Sequence, residues 1–230
     1  MENTHPNPPK IRILIADDHI IFSEALQLLL DRKYSVIGAV ADGRALVEQA
    51  IRLRPDIVVT DLSMPLLNGL DAARRIRNVL PKVRFVFLTM HDDPNIAAVA
   101  LDLGHVAFVL KRSGGKELIE AIEHLLRGHS YLTPKLRPVD WVAGKARIRQ
   151  FSKDLTNRQR DVIQLLAEGR PAKEIASILG LSEKTIQFHK HHIMQSFNIK
   201  NNAALVLFAL ERGLIISAGS VSHLPDEPAA

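Results

Sequence analysis

Apolar residues recur along this chain with two different periods. In the first half, short β-branched or apolar runs at residues 11–16, 34–41, 56–60, 84–88 and 107–110 have the length and character of buried strands. Between them, residues 20–31, 43–54, 68–79, 94–103 and 115–128 carry their apolar positions at helical spacing, as amphipathic helices do. Five strand–helix units in succession predict an α/β doubly wound, five-stranded parallel sheet covered on both faces, with right-handed crossovers. Ligands of such folds sit outside the carboxyl ends of the strands. Asp17, Asp18, Asp61, Thr89 and Lys111 each follow directly after a strand run, so the fold would gather them at that edge.

The pattern changes at Leu155. From there to Gly213 every segment has helical spacing, at residues 157–168, 172–179, 183–197 and 202–212. Gly169-Arg170-Pro171 ends the first helix, Gly180-Leu181 ends the second, and Ser182 is a suitable N-cap for the third. The second and third form a helix-turn-helix within an all-α four-helix unit. Projected at about 100° per residue, residues 182–197 separate into two faces. Ile186, Ile193 and Phe197 form the core side, with His189 beside them as a structural histidine. Lys184, Gln187, Phe188, His191, His192 and Gln195 form the other.

Composition narrows the classes. A length of 230 residues exceeds the usual single domain, so two domains are expected, each with its own core. No apolar run approaches the roughly 18 residues that cross a bilayer, and the polar, proline-rich start differs from a signal peptide. A cytoplasmic protein without membrane association is expected. The chain has no cysteine, which excludes disulfides, thiolate metal sites and cysteine nucleophiles. Its net charge of +5 is localised: residues 129–153 hold 6 Lys and Arg against 1 Asp, whereas 1–128 hold 16 against 16 and 154–230 hold 8 against 8. This basic stretch reads as an exposed linker, partly helical at 139–151, with the domains at 11–128 and 154–218 and a disordered tail at 219–230.

Three carboxylates at one sheet edge repel each other unless a cation neutralises them. Asp17, Asp18 and Asp61 offer hard oxygen donors, which suit Mg²⁺. Metal and phosphate chemistry is the expectation.

With Asp17-Asp18 after the first strand, Asp61 with Met64-Pro65 and Gly69 after the third, Thr89 after the fourth, and Phe108 with Lys111 at the fifth, residues 11–128 resemble a receiver domain of a two-component response regulator. The resemblance implies the strand order 2-1-3-4-5 of flavodoxin-like sheets. It implies Asp61 as phosphoacceptor, fed by a sensor histidine kinase, and Mg²⁺ held by Asp17, Asp18, Asp61 and the Ser63 backbone carbonyl. Lys111 and Thr89 would stabilise the phosphoryl group, and Phe108 would swing inward behind Thr89. Ser63, two residues after Asp61, and His91, two after Thr89, would tune dephosphorylation. Gly104-His105-Val106-Ala107 departs from the Gly-Ala-x-Gly pattern common in relatives.

Leu155-Thr156-x-Arg158, Val162-Ile163-x-Leu165-Leu166-Ala167-x-Gly169, Lys173-Glu174-Ile175-Ala176, Leu179-x-Leu181-Ser182, Thr185-Ile186 and Gly213-Leu214 resemble the LuxR-type DNA-binding domain of NarL/FixJ regulators. The resemblance implies that Lys184, Thr185, Gln187, Phe188, His191, His192 and Gln195 face double-stranded DNA. It also makes residues 202–212, with Leu205, Val206 and Phe208, the dimer helix of a homodimer formed on DNA or after phosphorylation. Relatives often carry Lys in place of Gln187 and Arg in place of Asn202, so DNA specificity is not inherited. Residues 154–218 hold only 8 Lys and Arg against 6 Asp and Glu; the basic linker, or protonation of His191 and His192, could add the missing positive charge.

The reading is a transcription regulator, not an enzyme, switched by phosphorylation of Asp61. Two rivals stand beside it. One is a phosphorylation-independent DNA-binding regulator that uses its receiver as an interaction module. The other is a Mg²⁺-dependent phosphohydrolase, which usually needs a second acid where this chain has Ser63.

Overall fold

The computed structural model describes residues 10–90, 97, 100, 101, 103–134, 155–211 and 215. The first unit alternates β1 (Arg12–Ala16), α1 (Ile20–Leu30), β2 (Ser35–Val40), α2 (Gly43–Leu53), β3 (Ile57–Asp61), α3 (Gly69–Val79), β4 (Arg84–Thr89), β5 (Val106–Leu110) and α4 (Gly115–Leu126). A short strand β6 (Tyr131–Leu132) follows. All strand pairings are parallel, in the order β2-β1-β3-β4-β5-β6. The expected order holds, but the sheet has six strands, not five. Tyr131 and Leu132 lie where the linker was expected to begin; they pair with Ala107 and Phe108, so the receiver sheet continues past residue 128.

Strand residues alternate between two cores because successive side chains leave a strand on opposite faces. Leu14, Val58, Phe85, Phe87 and Phe108 pack with Leu46 and Ala50 of α2 and with Ala72, Ala73 and Ile76 of α3. Ile13, Val59, Val86, Leu88 and Val109 pack with Leu26 and Leu30 of α1 and with Leu118, Ile122 and Leu125 of α4. Every residue of β3 and of β5 is buried, as the central strands of a parallel sheet with two covered faces must be. Of the segment expected to be helical at 94–103, Ala97 and Ala100 are buried in the first core. Most of the others lie outside the described residues.

The second unit comprises α5 (Asn157–Ala167), α6 (Ala172–Leu179), α7 (Glu183–Ser196) and α8 (Asn202–Glu211). A capping box opens α5: Gln159 N donates to Thr156 Oγ1 at 3.2 Å, and Thr156 N to Gln159 Oε1 at 2.8 Å. Gly180, at φ 63°, closes α6 in the left-handed region, and Ser182 caps α7 through Thr185 N at 3.1 Å. Leu155, Ile163, Ile193, Leu205 and Ala209 form one core patch. Val162, Leu165, Ile175, Leu179 and Ile186 form another. Among the described residues, no helix is long and apolar enough to cross a membrane. The 135–153 stretch and the 219–230 tail lie outside the described residues.

Candidate functional site

β1 and β3 are neighbours in register, with Ala16 opposite Thr60, so the residues that follow them emerge side by side. Asp17 and Asp61 are buried, whereas Asp18 is exposed at the mouth. Lys111 follows β5 and reaches back across β4: its Nζ lies 2.6 Å from Asp61 Oδ2 and 2.8 Å from Asp17 Oδ2. The carboxylate repulsion read from the sequence is thus relieved in part by an internal ammonium. Burial pushes the Asp61 carboxyl above its ordinary range, against the opposing pull of Lys111. Burial also draws the Lys111 ammonium down, but Asp61 and Asp17 together hold it above its ordinary value.

The connection from β3 to α3 is tightly constrained. Ser63 N donates to Asp61 Oδ1 at 3.1 Å, and Gly69 N donates to the Leu62 carbonyl at 3.0 Å. A Cβ on Gly69 would stand 2.0 Å from the Asp61 carbonyl oxygen, so only glycine allows α3 to start this close to β3. Thr89 ends β4 and Phe108 lies in β5; both are buried at 1% exposure. Phe108 already points into the core, its ring 6.2 Å from that of Phe87.

Asp17, Asp18, His19 and Asp61 can direct one donor atom each into a space where these atoms lie within 4.8 Å of one another. Three hard carboxylate oxygens fit a Mg²⁺ ion. Two neighbours were not singled out from the sequence. His19 Nδ1 lies 3.0 Å from Asp18 Oδ1 and 3.3 Å from Asp17 Oδ1, a role legible only in its adjacency to the two acids. Phe22, in the first turn of α1, places its ring centroid 4.8 Å from Lys111 Nζ; nothing in its local pattern separates it from a core aromatic. His91 lies outside the described residues.

In the second unit Lys184, Gln187, Phe188, His191, His192 and Gln195 are exposed along one side of α7, and Thr185 is half-buried near its start. Phe188 is 64% exposed, which is unusual for so large an apolar ring and suits a contact surface. His192 is tethered: its Nδ1 lies 3.3 Å from Gln159 Nε2 and 3.4 Å from Ser196 Oγ. Of the three residues assigned to a dimer helix, Leu205 is buried in the unit's own core and Phe208 packs on Phe197 with ring centroids 4.7 Å apart. Val206 is half-buried. Leu207, 60% exposed, is the large apolar residue that α8 offers outward.

Two family models match the chain. A response regulator receiver domain matches residues 13–123, and the luxR family of bacterial regulatory proteins matches residues 153–209. The transcriptional regulatory protein MctR of Rhizobium johnstonii is 32% identical over 213 residues, covering 92% of this chain and 98% of that protein. The oxygen regulatory protein NreC of Staphylococcus carnosus is 32% identical over 215 residues, covering 89% and 99%. Among solved structures, the Salmonella typhimurium RcsB response regulator superposes with a TM-score of 0.58 at 28% identity, covering 89% of this chain and 98% of that one. RcsB of Salmonella enterica serovar Typhimurium bound to the promoter P1flhDC with phosphomimetic BeF3⁻ superposes with a TM-score of 0.57 at 29% identity, covering 86% and 98%.

Proposed function

The chain belongs to the DNA-binding response regulators that join a receiver to a luxR-type helix-turn-helix domain, and from this premise we propose that Asp61 is the phosphoacceptor that switches it. One observation carries the reading: Lys111 Nζ sits 2.6 Å from Asp61 Oδ2 and 2.8 Å from Asp17 Oδ2. A buried carboxylate held beside a fixed ammonium and two further acids is arranged for phosphoryl transfer, in which the protein mainly positions groups and offsets charge.

An Asp61 carboxylate oxygen attacks phosphorus of a phosphohistidine on a sensor kinase, or of a small acyl phosphate. The new O–P bond forms as the donor's N–P or O–P bond breaks, and the donor leaves with the electron pair. Lys111 turns its ammonium from the carboxylates to a phosphoryl oxygen, and the Thr89 hydroxyl donates to another. Asp17, Asp18, Asp61 and the Ser63 carbonyl would hold Mg²⁺, which when bound supplies positive charge to the transferring phosphoryl oxygens. Ser63, and His91 by the family resemblance, govern the approach of the water that later hydrolyses the acylphosphate.

The output is DNA binding. Gln187 can pair with a base edge in the major groove, Phe188 can meet a thymine methyl, and Lys184 and Thr185 can reach phosphates. His191, His192 and Gln195 extend that face, and the outward side of α8 pairs two copies on double-stranded DNA. Treatment with acetyl phosphate and Mg²⁺ tests the switch. Intact mass should show one added phosphoryl group in the wild type and none in Asp61→Asn, with a rise in dimer in the wild type alone. Equal labelling of Asp61→Asn would place the phosphoacceptor elsewhere.

A further inference from the structure

Beside Asp61 the two units enclose a space that the phosphoacceptor chemistry does not by itself require. α5 lies on the connection that leaves Asp61: Gln164 Nε2 donates to the Met64 carbonyl at 3.1 Å, and its Oε1 accepts from Asn68 N at 2.9 Å. Leu66 N donates to Glu168 Oε1 at 3.0 Å, and Asp161 pairs with Arg75 of α3. Met64, Asn68, Gln164 and Glu168, which these bonds join, form part of the wall of a cleft of about 470 Å³. Asp18 and Ser63 belong to the same wall. Ser63 N is bonded to Asp61 Oδ1 at 3.1 Å, and Asp18 shares the carboxylate cluster with Asp61, so the cleft adjoins the phosphoacceptor.

The chemistry of the wall selects what can fill it. Among the described residues, Met64, Pro65, Ala167, Val206, Leu210 and Ile215 supply apolar surface. The polar side chains away from Asp18 and Ser63 are already occupied with one another. Glu168 Oε1 accepts from Gln164 Nε2 at 3.0 Å as well as from Leu66 N, and its Oε2 accepts from Arg170 Nε at 2.9 Å. Arg170 also pairs with Glu174, and Asn68 Oδ1 accepts from Asp71 N at 2.8 Å. A polar ligand body would therefore bury groups without partners, which is costly. An aliphatic body would bury only apolar surface, and the cleft falls within the range of about 300–1,000 Å³ that small-molecule sites occupy. The methyl of acetyl phosphate leaves most of it unused.

We propose that this cleft seats the aliphatic tail of an acyl phosphate, so that the full chain takes its phosphoryl group from a longer-chain donor such as butyryl phosphate in preference to acetyl phosphate. The proposal rests on Asp61 as the phosphoacceptor and names a substrate class for it. An Asp61 carboxylate oxygen attacks phosphorus, the bond between phosphorus and the acyl oxygen breaks, and the fatty carboxylate leaves with the electron pair. No proton changes place. The tail lies along Pro65 and Leu210 while the phosphoryl group stays beside Asp18 and Ser63, and each methylene that enters the cleft raises labelling efficiency by about fourfold, the effect of burying one CH₂.

Labelling of the full chain in Mg²⁺, followed by intact mass with each donor at the same sub-saturating concentration, tests it. Butyryl phosphate has the same leaving-group chemistry as acetyl phosphate and two further methylenes, so it should label the wild type about tenfold faster. Leu210→Asp sets a charge in the apolar wall, and Ala167→Leu fills the space; neither residue belongs to the core patches of the second unit. Each should bring the butyryl-to-acetyl ratio to about one. The ratio cancels any change in the reactivity of Asp61 itself. A wild-type ratio of one or less would overturn the proposal, as would a raised ratio that survives in both folded variants. Labelling of wild type on Asp61 without a butyryl preference refutes this inference alone, whereas equal labelling of Asp61→Asn removes the phosphoacceptor reading and this proposal with it.

Discussion

Lys111 Nζ bridges Asp61 and Asp17, 2.6 Å from one carboxylate and 2.8 Å from the other. The ammonium therefore serves two opposed purposes. It offsets part of the negative charge at rest, and it is paired with two of the carboxylates that a divalent cation would draw on.

Replacing Lys111 with Met keeps the length of the side chain and removes the charge. Calorimetric titration should then show tighter Mg²⁺ binding, because the competing cation is gone. Phosphorylation by acetyl phosphate should nonetheless slow by about 10²- to 10³-fold, the usual loss when a fixed transition-state donor is removed. Weaker Mg²⁺ binding in Lys111→Met would mean that the ammonium organises the carboxylates and does not compete for them.

Mg²⁺ should also stabilise the fold, by about 1.4 kcal/mol at ten times its dissociation constant, and less in Asp61→Asn. The effect depends on pH with a definite sign. Burial raises the Asp61 carboxyl above its ordinary range, so its proton is retained to a higher pH than on a free aspartate, and a protonated carboxyl is a poor ligand. Mg²⁺ affinity should fall as pH falls, starting above the ordinary aspartate range. Calorimetry between pH 8 and pH 5 would show the onset.

Gly69→Ala should destabilise the receiver by more than about 2 kcal/mol in urea unfolding, because the added methyl meets the Asp61 carbonyl oxygen at 2.0 Å. Any folded fraction should be slow to accept a phosphoryl group, since the start of α3 can relax only by displacing the end of β3.

Ser63→Ala keeps the backbone bond to Asp61 Oδ1 and removes only the hydroxyl. The half-life of the phosphorylated protein should change while the rate of labelling stays near wild type. Labelling and loss can be followed in one time course by intact mass.

On DNA, Gln187→Ala and Lys184→Ala should behave differently. Loss of a base contact costs about 1–3 kcal/mol and relaxes preference at one position. Loss of a phosphate contact weakens all sequences alike and reduces the salt slope by about 1. Selection from random duplexes, followed by salt titration, distinguishes the two.

Strand identity was legible because β3 and β5 are buried on both faces and therefore read as uninterrupted apolar runs. The gathering of Asp17, Asp61 and Lys111 followed from the parallel direction of the strands, since a parallel sheet brings their carboxyl ends to one edge. Strand β6 was not legible: Tyr131 and Leu132 form a pair too short to show a period, at the start of the basic stretch, and only their pairing with Ala107 and Phe108 makes them a strand. Nor did Leu205 and Phe208 declare their side of α8. Residues 203–210 are apolar throughout, so no polar face marks the orientation of the helix, and packing on Ile193 and Phe197 had to decide it.

Local spacing and residue chemistry thus determined the alternation of strands and helices, the all-helical second unit and the acidic strand-end site with its lysine, because each depends on periodicity or on position relative to a strand end; the order of the strands came from the family resemblance. The tertiary structure alone decided that Lys111 pairs with Asp61 and Asp17, that Phe22 lies against its ammonium, and that Gln164, Asp161 and Leu66 join the two units. These contacts link residues 50 or more positions apart, such as Asp61 to Lys111, 50 apart, and Met64 to Gln164, 100 apart. Long-range pairing leaves no period in the sequence; it arises only when two folded surfaces meet.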